Sequence, residues 1–238
     1  RIASVSSTMQ ITSAMKMVSA AKLKKAQDAI TAMRPYANKL TELLQNLSAT
    51  LDADSGSKYS EQRDVKNVLI VAITSNRGLC GAFNSNIIKQ ANLVAERYDA
   101  NVSVVAIGKK ANDALSKNFE IISNQSPVYD DLTFENVAEI AEMLMEQFES
   151  KAFDKIEIIY NKFKNAATQE IMTEQFLPIE PLEGDANANL DYIFEPSKEE
   201  IVETLIPKSL KTQLYKSIRD SFASEHGARM TAMHKATD

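Results

Sequence analysis

The sequence predicts an α/β protein in which long N- and C-terminal helices pair with each other and the segment between them folds as a three-layer α/β domain. Three observations predict this. A heptad seam runs through the first fifty residues, apolar strand-like runs alternate with helical stretches between residues 66 and 177, and an i,i+4 apolar stripe occupies the last forty residues.

The seam comes first. Ile2, Val5, Met9, Thr12, Lys16, Ser19, Leu23, Ala26, Ile30, Met33, Ala37, Leu40, Leu44, Leu47 and Leu51 alternate three and four apart, and only Thr12, Lys16 and Ser19 interrupt its apolar character. No glycine precedes Gly56, and Pro35 is the one proline in the stretch. Fifty helical residues would span roughly 75 Å, against a radius of gyration near 18 Å for a compact chain of this length. Such a helix projects from the body and needs partners along its length. Residues 52–64 are polar, contain Gly56 and read as a linker.

The middle segment changes period. Residues 66–73 hold a continuous apolar run, the pattern of a strand buried on both faces. Residues 84–98 have helical spacing, 102–107 read as a second buried strand, 109–118 as a short helix and 120–123 as a short strand. Thr133 opens a helix with Glu135 and Asn136 in its first turn and Val137, Ile140, Ala141, Leu144, Met145 and Phe148 on its apolar stripe. Residues 155–163 and 170–177 read as strands able to pair antiparallel, on the edge of a mostly parallel sheet. Residues 178–196 contain Pro178, Pro181 and Pro196 and read as a linker. Ser197 and Glu200 form a capping box that starts the last helix, which should kink or restart at Pro207. Beyond it come the stripe Leu210, Leu214, Ile218 and Phe222, then Met230 and Met233.

Composition narrows the function. No apolar run is long enough to span a membrane, and a single cysteine, Cys80, excludes an intrachain disulfide. Arg1 rather than Met at the start suggests a trimmed chain. The net charge of −5 hides an asymmetry, because residues 1–40 carry seven basic side chains against Asp28 alone. A basic helix on an acidic protein suits an acidic partner: nucleic acid, anionic lipid or an acidic protein surface. The plain alternative is a solvated helix face.

Catalytic chemistry is sparse. The loop from Ser75 to Asn84 lies between a strand and a helix, where phosphate loops sit, but it lacks the Lys-Ser/Thr of a Walker loop and the third glycine of a dinucleotide loop. Gly78 and Gly81 more simply permit a tight turn. Cys80 has no assignable His or Asn partner and reads as a buried structural thiol. His226 and His234, eight apart, do not make a metal pair. No cofactor, metal or catalytic set is expected. Six of the nine methionines fall in the terminal segments, either packing between helices or offering an adaptable contact surface.

Three stretches resemble the gamma subunit of the F-type ATP synthase. They are Arg1 to Gln27, with its Ala-Met-Lys-Met signature at residues 14–17, the glycine-cysteine-glycine loop at Ser75 to Phe83, and Ala223 to Met233 with Ala236-Thr-Asp238. The resemblance implies an α/β fold class with a long antiparallel, left-handed coiled coil of the terminal helices plus a three-layer Rossmann-like domain, divided as 1–52, 65–180 and 197–238.

It also implies a non-catalytic central rotor shaft. The shaft would carry torque between proton flow through the membrane c-ring and a hexamer of three alpha and three beta subunits, with the epsilon subunit at its foot. Met15, Lys16, Lys22, Lys24, Lys25, Arg229 and Met230 would contact the hexamer, whose beta subunits carry acidic loops. The setting would be the cytoplasmic side of the bacterial inner membrane, as a peripheral protein, and Ile2-Ala-Ser-Val5 favours the bacterial form. Members usually continue beyond Asp238 for several turns, and Gly227 stands where a small helix-former is usual. Two rivals stay open: a basic coiled-coil nucleic-acid-binding protein, and an enzyme with a degenerate Rossmann domain.

Overall fold

A computed structural model describes residues 1–49, 58–179 and 198–238. Helix α1 (Ile2–Ala49) and helix α5 (Lys198–Thr237) flank an α/β segment made of β1 (Asn67–Ile73), α2 (Phe83–Ala95), β2 (Asn101–Ile107), α3 (Lys109–Leu115), β3 (Glu120–Asn124), a 3-10 turn (Ser126–Tyr129), α4 (Phe134–Glu149), β4 (Lys155–Phe163) and β5 (Gln169–Leu177). The sheet order is β3-β2-β1-β4-β5, parallel except for the antiparallel β4–β5 edge. The fold class expected from the sequence is the one observed.

Burial on both faces explains the unbroken apolar run of β1, in which Val68 to Ile73 are all fully buried. Alternate residues serve opposite layers. Val68, Ile70 and Ala72 join Ile87, Ala91 and Val94 of α2 and Ala111 and Leu115 of α3, while Leu69, Val71 and Ile73 join the stripe of α4. In β4, Ile159 faces the α2–α3 layer and Ile156, Ile158 and Tyr160 face the other. Thr133 caps α4 as expected, accepting a hydrogen bond from the backbone N–H of Asn136.

Helix α5 belongs to two structures at once. Ile206, Leu210, Leu214 and Ile218 lie in the α/β core beside α4. The i,i+4 stripe therefore faces the sheet through Ile218, and its last member, Phe222, packs with the α1 cluster. Farther on, Ala223 and the half-buried Met230 pack with Leu23, Ala26 and Ile30 of α1 and Phe163 of β4. Hydrogen bonds join Thr12 to Thr237 and Arg34 to Asp220, so advancing along α1 runs backward along α5 and the pair is antiparallel.

The heptad seam is buried where α5 accompanies it: Ser19, Leu23, Ala26, Ile30, Ala37 and Leu40 are all buried. Ile2, Val5 and Met9, which precede the Thr12–Thr237 contact, are exposed.

Three sequence expectations need correction. Helix α5 runs through Pro207 without restarting, since Ile206 and Leu210 anchor the chain in the core on both sides of it. Residues 58–64 do not behave as a free linker: Tyr59 is buried and donates its hydroxyl hydrogen bond to Glu149, and Arg63 donates to the Phe148 carbonyl at 2.8 Å while covering its ring. Helices α2 and α3 end at Ala95 and Leu115, a turn earlier than their spacing predicts. The capping box at Ser197 and Glu200, the segments 52–57 and 180–196, and the end of the seam at Leu44, Leu47 and Leu51 lie outside the described side chains.

Candidate partner-binding surface

Open parallel sheets bind ligands beyond the carboxyl ends of their strands, where the strand order reverses. Here that point lies beside β1, which has β2 on one side and β4 on the other. Helix α5 crosses it. The Ser224 hydroxyl donates to the Asn161 carbonyl at 2.9 Å, and the Asp220 carboxylate accepts from the Phe163 backbone N–H at 3.1 Å. The Arg229 guanidinium donates to the carbonyls of Arg77 and Gly78 at 3.3 and 3.2 Å and to Glu225 at 2.6 Å. The loop after β1 thus offers its carbonyls to an arginine of its own chain.

That loop is held from within. Asn84, in the first turn of α2, accepts from the Ser75 backbone N–H at 2.9 Å and donates to the Cys80 sulfur at 3.2 Å, and the Ser75 hydroxyl donates to the Arg77 carbonyl. Cys80 is buried, and burial pushes its thiol pKa up, which suppresses the nucleophilic thiolate. The sequence reading of a structural thiol fits this setting. The turn itself departs from expectation: Gly81 has a left-handed φ of 60°, but its companion is Leu79 at 62°, not Gly78.

The seven residues expected to face a partner do not form one patch. Lys22, Lys24 and Lys25 are exposed on α1, and Met15 and Lys16 are half-buried beside them. Lys24 pairs with Asp28 at 2.8 Å one turn on, with both side chains largely exposed. Arg229 is buried and committed to Glu225 and the loop, so it can steady this surface but not present a charge on it. Met230 sits in the α1–α5 seam.

Several residues escaped the sequence reading. Arg34 binds the fully buried Asp220, tying α1 to α5, and donates to the Phe163 carbonyl at 2.7 Å. Glu225 is buried and its carboxyl pKa is raised by that burial, against the opposing pull of Arg229. The i,i+4 spacing of Glu225 and Arg229 is the one legible signal for that pair. Buried His226 meets the Phe222 ring edge-on at 4.5 Å, and desolvation lowers its pKa to about 4. Among the described residues, no group of His, Cys, Asp and Glu is arranged to hold a metal ion.

Gly227 also has a reason now. A Cβ there would lie 3.0 Å from the Ala166 carbonyl oxygen, in the β4–β5 turn that α5 passes. Between α1, the loop after β1 and α5 lies a cleft of about 480 Å³, with Met15 and Lys22 on its wall.

Comparison with known proteins agrees with this architecture. A family model described as ATP synthase matches residues 1–238. The chain is 72% identical over 240 residues to the ATP synthase gamma chain of Flavobacterium psychrophilum and 51% identical over 249 residues to that of Cytophaga hutchinsonii, covering all of this chain and 84% of each relative. Among solved structures, the central stalk and c-ring of Tetrahymena thermophila mitochondrial ATP synthase contains a chain that aligns with a TM-score of 0.70 at 26% identity, over 96% of this chain and 100% of that one. A chain of the Euglena gracilis mitochondrial ATP synthase rotor shares the fold, with a TM-score of 0.53 at 19% identity over 94% and 91% of the two chains.

Proposed function

The chain belongs to the ATP synthase gamma-chain family, in its bacterial F-type form, and on that premise we propose that it serves as a non-catalytic shaft carrying torque through the central stalk. The observation that carries this reading is the dual role of α5. Its first half is locked into the α/β core by Ile206, Leu210, Leu214 and Ile218, and its second half pairs with α1. A shaft must not slip on its foot, and here one continuous helix is both.

The proposed partners follow from the relatives. The α1–α5 pair would stand inside a hexamer of alpha and beta subunits, and the α/β domain would meet the epsilon subunit and the c-ring. The division into 1–52, 65–180 and 197–238 is kept as functional parts: shaft, foot, and the helix that joins them. Met15, Lys16, Lys22, Lys24 and Lys25 form the proposed contact with the hexamer, while Arg229 and Met230 support it from beneath.

The charge asymmetry favours this over nucleic acid, since acidic loops of a turning partner can exchange cations in succession. The occupied crevice beside β1 disfavours a degenerate Rossmann enzyme. No described helix is long and apolar enough to cross a membrane, which suits a peripheral subunit, proposed on the cytoplasmic face of the bacterial inner membrane.

Assembly of the chain with alpha and beta subunits tests the reading. A bead fixed to the α/β domain should turn in one direction when ATP is supplied, and the chain alone should hydrolyse none. A bead that stays still on a hydrolysing, chain-bound hexamer rejects the shaft.

A further inference from the structure

We infer that the cleft between α1, the loop after β1 and α5 is a binding site for a small amphiphile with one anionic headgroup, held beside His226 with its apolar body along α1. The volume, about 480 Å³, lies within the ~300–1,000 Å³ of small-molecule sites. Its wall is mixed. Ile11, Met15 and Val18 of α1, with Phe222 of α5, give an apolar side, and Lys22, Arg77 and His226 give a polar one.

His226 is the observation that points to a ligand. It is 5% exposed, and neither ring nitrogen has a hydrogen-bond partner among the described residues. Buried polar side chains without partners are rare. The ring is fixed by packing against Phe222 rather than by a hydrogen bond. A neutral imidazole offers one donor and one acceptor, enough to orient a headgroup.

Charge selects the sign of that headgroup. The cleft is lined by Lys22, Arg77 and Arg229 against Asp130 and Glu225, one positive charge in excess, and the Glu225 carboxylate already pairs with Arg229 at 2.6 Å. Neither Lys22 nor Arg77 forms an ion pair among the described residues. Burial, and then the charges of Arg229 and Lys22, hold His226 neutral. The same positive field that disfavours a proton there favours an anion.

The chain has only two histidines, so it reports on the site directly. The full chain, labelled with nitrogen-15 histidine, is titrated with 1-naphthalenesulfonate. The His226 imidazole signals should shift and saturate at one equivalent, while those of His234, 58% exposed on the last turn, stay in place. Val18→Trp fills the cleft from a position 57% exposed and should weaken binding at least tenfold, and Lys22→Glu at least fivefold, with circular dichroism unchanged.

Parallel, unsaturated shifts of both histidines overturn the inference, as does unchanged affinity in both variants. Saturation of the His226 shift by an acidic peptide but not by naphthalenesulfonate overturns it in favour of a protein partner. The inference rests on the shaft reading only for its consequence, since Met15 and Lys22 also belong to the proposed hexamer contact. Binding to the isolated chain decides the site; competition between naphthalenesulfonate and hexamer assembly decides that contact separately.

Discussion

Arg34 of α1 and Asp220 of α5 meet at 2.5 Å, and the Asp220 side chain is fully buried. Asp220 also accepts the Phe163 backbone N–H, so the pair joins both long helices to the end of β4. Removing one partner of a buried pair leaves an uncompensated charge, at a cost of about 3–5 kcal/mol. Arg34→Ala should therefore lower unfolding free energy by that order. Asp220→Asn should cost less, because the amide oxygen can still accept from Phe163 and Arg34 is partly solvated. Chemical denaturation of both variants checks this, and an Arg34→Ala chain within half a kcal/mol of the parent removes the clamp from the account.

Two glycines are held by close approach rather than by chance. At Gly108, with φ of 102°, a Cβ would fall 2.2 Å from the Thr74 carbonyl oxygen, so Gly108→Ala should be strongly destabilising. Gly227 is milder. Alanine there gains up to ~1 kcal/mol of helix propensity but presses the Ala166 carbonyl, so the net change should be small. Gly227→Leu, also a good helix former, should cost about 1–3 kcal/mol through overpacking. Melting curves should place Gly108→Ala lowest, Gly227→Leu next and Gly227→Ala nearest the parent, and a stabilised Gly227→Leu chain contradicts the packing argument.

The sheet and its order of elements were legible because β1 and β2 are buried on both faces and α4 has a one-sided stripe. Periodicity reports how much of an element is buried, but not what buries it. That is why the stripe from Leu210 to Ile218 was readable as a helix face while its partner, the sheet, was not. The basic residues of α1 were visible because they crowd onto one helix in which residues 1–40 hold Asp28 as the single acidic side chain. Arg229 carried no such mark, since an arginine satisfied by the carbonyls of Arg77 and Gly78, some 150 positions away, reads like any other cation. His226 likewise takes its character from tertiary burial alone.

Acid should loosen the junction through His226. In the folded chain its pKa is lowered to about 4, chiefly by burial, with Arg229 and Lys22 adding to the shift. Unfolded histidine titrates near ~6.5, so the folded state binds fewer protons between the two values. The associated stability is fully present above ~6.5 and is lost as pH falls toward 4, by up to about 3 kcal/mol. Glu225 works in the opposite direction: its raised pKa contributes most below the unfolded carboxylate value and fades as pH rises through the folded one. His226→Phe removes the titration and two unpartnered nitrogens. Its stability relative to the parent should grow as pH is lowered from 7.5 to 4.5 in urea melts, whereas a constant difference across that range rules out the assignment.

The isolated chain should bind no nucleotide. The place where a Rossmann-type ligand would sit is crossed by α5, and Arg229 occupies the loop carbonyls at its mouth. The same loop lacks the lysine of a phosphate site. Calorimetric titration with ATP and magnesium should give only heats of dilution. Saturable binding at micromolar concentration would mean that α5 leaves the crevice in solution.

The basic residues of α1 should act on the hexamer together rather than as individual ion pairs. Lys22 and Lys25 are exposed without an ion pair among the described residues, Lys16 is half-buried, and Lys24 already has Asp28 one turn away. Solvent-exposed pairs are worth only about 0.2–1 kcal/mol each, and a turning shaft cannot keep one partner. Single Lys→Ala changes should therefore reduce coupled turnover slightly, with Lys24→Ala the mildest because its charge is partly spent within the helix. Changing all four to Glu places like charges against acidic loops and should uncouple the complex. Arg229→Ala should act differently. It frees the buried Glu225 carboxylate and the loop carbonyls, so its effect should appear first as lost stability of the isolated chain and only then as lost coupling. ATP-driven proton pumping measured beside ATP hydrolysis separates these cases. Normal coupling in the fourfold reversal, together with collapse in one single Lys→Ala variant, replaces the collective contact with a specific ion pair.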